Sequence, residues 1–262
     1  MNSPVRQRMG LLSASLGNLV FLYAPIGVLI VFSFNAARLP TEWRGFSLQW
    51  YATLARDHAL MVALQNSVLI AMASTVIAVL LGVSAAIGLE RLPWRRRAWL
   101  EGALLLPLVM PEIMMGVALL LLFVLVKLPL GLLTVTISHA AFNVPVVLVI
   151  VRARLRKLDP QLEEAARDLG ATPWQAFRRV TLPLLQPAIT GAALLAFTVS
   201  LDDFVVTFFT AGPGATTLPL KVYSMIKAGI SPEINALSAL LVAVSMALVG
   251  LSLLFQRKAL HG

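Results

Sequence analysis

Three carboxylates lie inside long apolar stretches of this sequence, where an ionised side chain is costly. They are Glu112, Asp202 and Asp203. A charge at the centre of a bilayer costs about 2.5–3.5 kcal/mol on insertion scales, so such residues usually face a pore, a water-filled cavity or a partner. Two interpretations stay open. Either these acids line a solute pathway, or they accept hydrogen bonds from neighbouring helices, with Glu112 protonated and structural.

Asp203 belongs to a polar stripe on a predicted helix that runs without interruption from about residue 187 to residue 210. The members of the stripe recur at i, i+3, i+7 and i+10 and therefore share one face: Ser200, Asp203, Thr207 and Thr210. Neighbouring residues on a helix point about 100° apart, so Asp202 and Asp203 need not share a role. We predict that the pathway is lined by Asp202, Asp203, Glu112 and Thr207.

The other chemically active side chains form no catalytic or metal-binding pattern. Ser138 and His139 are adjacent, as are the two aspartates, and neither arrangement suits a catalytic dyad of an intramembrane protease. A lone histidine among apolar residues is more often hydrogen-bonded and neutral than a ligand. The chain has no cysteine, which excludes disulfides and thiolate metal sites. It also lacks a Gly-x-x-x-x-Gly-Lys-Ser/Thr loop for ATP phosphates, so we expect no cofactor, no metal and no enzymatic activity.

Composition indicates a membrane protein. Of 262 residues, 59% are hydrophobic and 13% are charged, against about 45–50% and about 25% in soluble domains. Six apolar runs reach the roughly 20 residues that a spanning helix needs. The runs are 11–34, 59–89, 102–126, 128–151, 180–201 and 234–256. They predict six transmembrane helices, the third kinked at Pro107 or Pro111.

The basic residues lie between the apolar runs and follow the positive-inside rule. With the N-terminus in the cytoplasm, six of the 21 Lys and Arg residues fall outside: Arg38, Arg44, Arg56, Lys127, Lys221 and Lys227. The other fifteen fall inside, among them Arg6, Arg8, Arg257 and Lys258 at the two ends. This bias predicts a bacterial inner-membrane protein with both termini in the cytoplasm. It argues against nucleic-acid binding, which needs a basic patch on one surface.

The longest of the predicted cytoplasmic segments, residues 152–184, has the signals of two short helices. Asp159 is placed to cap a helix that begins at Pro160. Gly170 stands where a left-handed residue would end that helix. Thr172 and Gln175 form a capping box for a second helix, which Leu182-Pro183 is expected to stop. The loop is therefore an organised unit with a glycine joint.

One motif in this segment is characteristic of a family. Glu164-Ala165-Ala166 is followed after three residues by Gly170, and after nine more by Val180-Thr181-Leu182-Pro183. The pattern resembles the EAA signature of permease subunits of ATP-binding-cassette (ABC) importers, in which Ile stands where this chain has Val180. The alternative is a solvated amphipathic loop held by pairs such as Glu163 and Arg167.

The resemblance implies an all-α membrane protein with six transmembrane helices and the type I ABC importer permease fold. It implies that the loop couples an ATPase subunit to the pore through Glu164, Ala165, Ala166, Gly170, Leu182 and Pro183. The implied partners are a second permease subunit, two ATP-binding subunits, an extracytoplasmic solute-binding protein and membrane lipid. The implied organisation is a first transmembrane helix and outer segment (1–58), a permease core of five helices (59–256) and a cytoplasmic tail (257–262).

Narrower matches suggest the solute. Ser200-Leu-Asp-Asp-Phe204, Thr210-Ala-Gly-Pro-Gly214 and Leu106-Pro-Leu-Val-Met-Pro-Glu-Ile113 resemble the spermidine/putrescine permeases. These stretches include the membrane acids, which suits a cationic substrate. Two alternatives stay open, namely another small solute in the same importer class and an ion-coupled secondary transporter, since acids in the membrane also mark the latter.

Overall fold

The structure, a computed structural model, describes residues 3–37, 42–229 and 231–261, with side chains described between residues 11 and 246 apart from residue 13 and those gaps. The described chain is helical, with turns and one isolated β-bridge between Asn35 and Phe46. The predicted positions of Arg6, Arg8, Arg38, Arg257 and Lys258 lie outside the residues whose side chains are described.

Twelve helices follow one another along the described chain. They are α1 (Ser3–Phe32), α2 (Gln49–Arg56), α3 (His58–Glu90), α4 (Trp94–Val109), α5 (Glu112–Leu125), α6 (Leu132–Leu155), α7 (Gln161–Asp168), α8 (Pro173–Ala176), α9 (Leu182–Asp202), α10 (Val205–Thr210), α11 (Leu218–Ala228) and α12 (Pro232–His261). A π-helical turn, Phe177–Thr181, joins α8 to α9.

Four stretches of helix are long and apolar enough to cross a bilayer: Ala14–Phe32, His58–Glu90, Leu132–Leu155 and Pro173–Asp202. A fifth candidate is the pair α4 and α5, and a shorter apolar helix spans Pro232–Met246 within the residues described. The predicted membrane character is therefore confirmed. The count of six spans stays a prediction.

The third apolar run is not one kinked helix, as the sequence predicted, but two helices bent by 108°. Pro107 stays inside α4, whereas Met110 and Pro111 are extended, with ψ of 138° and 136°. A residue that precedes proline is driven out of the helical region, so α4 ends before Met110. Pro111 then serves as the first non-helical residue before α5.

Two further expectations about helix ends were wrong. The predicted continuous helix over 187–210 breaks at Asp203, where ψ is 124°. Conversely, Leu182-Pro183 does not stop the second loop helix, because the chain passes through a π turn directly into α9. In that turn the Leu182 N–H bonds the carbonyl of Phe177, five residues back. The wider turn makes room for a proline ring that would clash in a regular α-helix.

The chain divides into two compact units, residues 1–61 with 222–262 and residues 62–221. The core of the second unit lies where α3, α6 and α9 meet, and small side chains let these helices approach closely. Its members are Ala78, Ala86, Leu89, Val147, Leu148, Val151, Leu185, Ala192 and Ala196. This core packs α6 and α9, the two helices that carry most of the candidate site, against each other and against α3.

In the first unit, a compact turn joins α1 to α2. Asn35 organises it, because its Oδ1 accepts from the backbone N–H groups of Ala37 and Arg44 at 3.1 and 3.0 Å. The indole N–H of Trp50 donates to the Asn35 carbonyl at 2.8 Å. The Trp50 ring is thus fixed by a polar contact at its N–H end.

Candidate functional site

The break between α9 and α10 is stabilised by the side chain of Asp203. Its Oδ2 accepts the backbone N–H and the hydroxyl of Thr207, each at 2.8 Å, and its Oδ1 accepts the Val206 N–H at 3.3 Å. These are the unpaired donors of the first turn of α10. Asp203 therefore caps a new helix, and its side chain is only 8% exposed.

A buried histidine on α6 connects this cap to the neighbouring helix. The Nε2 of His139 lies 2.9 Å from the Thr207 hydroxyl and 3.2 Å from Asp203 Oδ2. Its Nδ1 lies 2.6 Å from the hydroxyl of Ser200 on α9, which in turn lies 3.0 Å from the hydroxyl of Ser74 on α3. Four elements thus share one buried polar network.

A cavity of about 660 Å³ opens beside the break. Glu112 and Asp202 line it, both exposed, and Asp203 borders it from the interior side. Apart from Thr198 its walls are otherwise apolar or aromatic, and they include Met115 of α5, Phe142 of α6 and Phe204 in the break. Among the described residues that line it there is no Lys or Arg, so the ionisable groups at its wall are all carboxyl groups.

The structure thus brings together three of the four residues predicted to line a pathway: Glu112, Asp202 and Asp203. Thr207 does not border the cavity; it is fully buried against Asp203 and His139. From the sequence, His139 was expected to be an ordinary hydrogen-bonded histidine. It is hydrogen-bonded, but nothing in its local sequence indicates that its partners lie on both sides of a helix break.

The loop after α6 has the local structure that its sequence predicts. Asp159 Oδ1 accepts the Gln161 N–H at 3.0 Å, and Gly170 adopts a φ of +87°. Thr172 and Gln175 form the predicted capping box, with bonds of 2.9 and 3.3 Å. The predicted pair is also present, at 2.8 Å between Arg167 and Glu163.

The same loop presents an uncovered surface. Glu164 and Ala165 are exposed, and so is Pro183, while Ala166 and Leu182 are half-buried. Two large apolar side chains that the motif does not include, Leu169 and Trp174, are 90% and 66% exposed. The loop therefore presents exposed apolar side chains beside the exposed Glu164.

A charged cluster ties α3, α4 and α6 together at the ends nearest this loop. The Arg152 guanidinium, 7% exposed, bonds Glu90 at 2.6 Å and also pairs with Glu101. Arg156 and Arg97 add contacts to Glu90 at 3.0 and 3.1 Å. From the sequence, these arginines were used only to predict the orientation of the chain in the membrane, and the cluster was not predicted.

The matches to known proteins agree with this architecture. Residues 78–261 match the family described as binding-protein-dependent transport system inner membrane component. The chain belongs to this family. The importer-permease prediction made from the EAA pattern is thereby confirmed, as is the inner-membrane location.

Several characterised members of this family are close in sequence. The chain is 40% identical to the Escherichia coli K12 spermidine/putrescine transport system permease protein PotC over 92% of each chain. It is 45% identical to the E. coli K12 putrescine transport system permease protein PotI, covering 84% of this chain and 81% of that one. Haemophilus influenzae PotC is 40% identical over 92% of this chain and 94% of its own.

Solved structures of more distant transporters have the same fold. A bacterial ABC transporter that imports the acidic polysaccharide alginate superposes with a TM-score of 0.74 at 17% identity, covering 96% of this chain and 95% of that one. An amino acid ABC transporter superposes with a TM-score of 0.61 at 18% identity, covering 81% and 100%. At these identities the likeness concerns the fold, and the predicted type I importer permease fold is confirmed.

Proposed function

We propose that this permease conducts polyamines, and that the cavity beside the α9–α10 break is part of their path. The observation that carries the proposal is the pairing of two exposed carboxylates, Glu112 and Asp202, in a cavity whose described lining has no cation. The sequence relatives named for spermidine and putrescine transport support the same solute class. One relative is named for both polyamines and the other for putrescine alone, so the proposal covers both solutes.

The chemistry of the cavity suits a polyamine in particular. Such a molecule alternates ammonium groups with short methylene chains, so it needs negative charge and apolar surface side by side. Glu112 and Asp202 supply the charge, while Met115 and two phenylalanine rings supply apolar and aromatic surface. Aromatic faces also attract ammonium groups. An anionic solute would meet two uncompensated carboxylates here.

The attraction stays weak enough for conduction. Asp203, the third acid, is largely buried, and its carboxylate oxygens already accept hydrogen bonds from Thr207 and face His139, so it is less available to a solute in the cavity. Two exposed acids then offset part of the hydration that a polycation loses. A stronger site would hold the ion rather than release it.

The partners and orientation form part of the proposal. The exposed loop surface around Glu164, Leu169 and Trp174 would seat an ATP-binding subunit, two of which would act with a second permease subunit and an extracytoplasmic solute-binding protein. The loop and both termini would lie in the cytoplasm, as the distribution of Lys and Arg favours. The polyamines would pass between the two permease subunits.

The test of the solute pathway is transport by the assembled complex. In water, a cation 4 Å from a carboxylate gains about 1 kcal/mol, and more at lower dielectric, so removing one acid should slow uptake by at least about fivefold. We expect Asp202→Asn and Glu112→Gln each to lower the maximal rate of spermidine or putrescine uptake. Polyamine binding to the separate receptor should not change. Glu42→Gln, which removes an exposed acid outside the cavity, is the matched control.

Uptake at the wild-type rate in the Asp202→Asn, Glu112→Gln double variant, at normal membrane levels, would rule out this pathway. A partner receptor that binds another solute and ignores polyamines would overturn the solute assignment alone. An ion-coupled mechanism predicts uptake that survives inactivation of the ATPase but stops when the proton gradient collapses.

The orientation is tested by thiol labelling, since the chain has no cysteine of its own. A membrane-impermeant reagent added outside should label Ser47→Cys but not Arg96→Cys in intact cells. The reverse pattern would invert the proposed topology.

A further inference from the structure

The position of His139 is unusual for a histidine whose contacts only satisfy the hydrogen-bonding capacity of its own ring. It stands on α6, yet its ring contacts residues on both sides of the break in the neighbouring span: Ser200 before it, Asp203 in it and Thr207 after it. The side chain is 1% exposed. Each ring nitrogen could be satisfied by one partner on one helix. The feature to explain is therefore that the ring contacts residues on both sides of the break.

The hydrogen bonds of this network can all be assigned in one direction, with each group donating towards Asp203. Asp203 Oδ2 already accepts the Thr207 N–H and hydroxyl, and Nε2 faces this same oxygen, so Nε2 carries the proton and donates. In a neutral imidazole Nδ1 must then accept, and the Ser200 hydroxyl supplies its proton. Ser74 can then donate to Ser200 at 3.0 Å in place of its longer bond of 3.3 Å to the Ala71 carbonyl.

The network separates the tasks of two adjacent acids. Asp202 is the last residue of α9 and is exposed in the cavity, whereas Asp203 is turned inward and caps α10. No further helical turn holds Asp202 on its C-terminal side, so its direction depends on how the break that follows it is held. The bonds from Ser200 and Thr207 to one rigid ring fix the end of α9 relative to the start of α10.

We propose that His139 is a positioning residue of the translocation pathway. It clamps the α9–α10 break so that Asp202 faces the cavity and Asp203 does not. The expected effect on transport rests on the proposed function. The clamp itself concerns only the local geometry of the break and does not depend on that function. It assigns a role to a residue that does not border the cavity.

Two substitutions divide the clamp in half. Nδ1 is two bonds from Cβ, the reach of an asparagine amide, and Nε2 is three bonds away, the reach of a glutamine amide. His139→Asn therefore keeps the Ser200 side alone, while His139→Gln keeps a donor for Asp203 and Thr207. The clamp predicts that His139→Asn loosens the start of α10 and that His139→Gln largely preserves it.

The local test uses single cysteines in the purified, assembled transporter. Val205→Cys reports on the cavity wall after the break, and Thr198→Cys on the wall before it, which is anchored by α9. Interhelical hydrogen bonds in membranes are worth enough to change an opening equilibrium by about three- to twentyfold. We expect His139→Asn to change the rate of thiol labelling at position 205 by that factor and to leave the rate at position 198 unchanged. In His139→Gln the rate at position 205 should stay within about twofold of wild type. Equal rates in all three proteins, or equal changes at both positions, would overturn the clamp.

The transport test asks whether His139 acts through Asp202. In the wild-type background, His139→Asn should lower the maximal uptake rate severalfold. In an Asp202→Asn background the same change should have little further effect, because coupled residues give non-additive effects. Additive losses would mean that His139 acts independently of Asp202 and would refute the positioning role. If Asp202→Asn alone leaves uptake unchanged, the proposed pathway fails, while the labelling result still decides the clamp.

Discussion

Gly170 is the single backbone position on which the exposed loop depends most. Its φ of +87° lies in the left-handed region, and its N–H and that of Ala171 close the end of α7 onto Arg167 and Ala166 at 2.9 and 3.1 Å. A Cβ at Gly170 would meet nothing within 4 Å. The cost of a side chain there is therefore conformational, about 1–2 kcal/mol, with no contribution from a clash within this chain.

That cost sets the expected result. At 1.36 kcal/mol per factor of ten, the native turn should be depopulated by about five- to thirtyfold. Because the strain comes from the backbone, Gly170→Ala and Gly170→Leu should reduce transport-coupled ATP hydrolysis to similar extents. Gly170→Asn should lose less, since asparagine tolerates the left-handed region. All three variants should insert and assemble at wild-type levels.

The assay is substrate- and receptor-stimulated ATP hydrolysis by the reconstituted complex. Gly88→Ala is the matched control, because Gly88 is also exposed and open but lies in regular helix. Wild-type coupling in the Ala and Leu variants would refute the role of the turn. A Leu variant far worse than the Ala variant would place a partner surface against Gly170 itself.

Other predictions test the loop, the ion cluster and the helix packing. Glu164→Lys, an exposed change, should uncouple ATP hydrolysis from transport without reducing the amount of permease in the membrane. Arg152→Met removes the partner of Glu101 and one of the three partners of Glu90. It should destabilise the detergent-solubilised protein by about 1–3 kcal/mol, seen as a lower melting temperature. Arg154→Met, at an exposed position, should not. Gly82→Ala would bring Cβ within 2.7 Å of Val147 and 3.0 Å of a backbone oxygen, at a cost of about 1–3 kcal/mol, while Gly191→Ala, in open space, should be neutral.

The loop could be predicted from sequence because its signals are local. Each predicted feature there depends on residues at most four apart: the Asp159 cap, the Thr172–Gln175 box and the left-handed Gly170. The end of the second helix was not predicted, because it depends on packing and not on local signals alone. Whether a proline stops a helix or is absorbed by a π turn depends on how much the following helix gains by packing, and Leu185 and Ala192 of α9 are fully buried in the core.

The two helix breaks required tertiary information of the same kind. Pro107 and Pro111 have the same chemistry, yet only the second ends a helix. The ion cluster around Arg152 joins residues more than fifty positions apart, which no periodicity reveals. Sequence could state that the acids lie at membrane depth, but not that Glu112 and Asp202 share one cavity.

Three of the four members of the predicted polar stripe share one network, whereas the Thr210 hydroxyl bonds the Val206 carbonyl instead. Ser200, Asp203 and Thr207 do act together, but across a break and around His139 rather than along one helical face. An aspartate with two free backbone N–H groups ahead of it satisfies them by capping, and this competes with its use as a pathway charge. Its neighbour Asp202 ends α9 and is exposed in the cavity. In the proposed pathway the adjacent acids thus divide a structural and a functional task, because Asp203 is the one whose side chain reaches the first turn of α10.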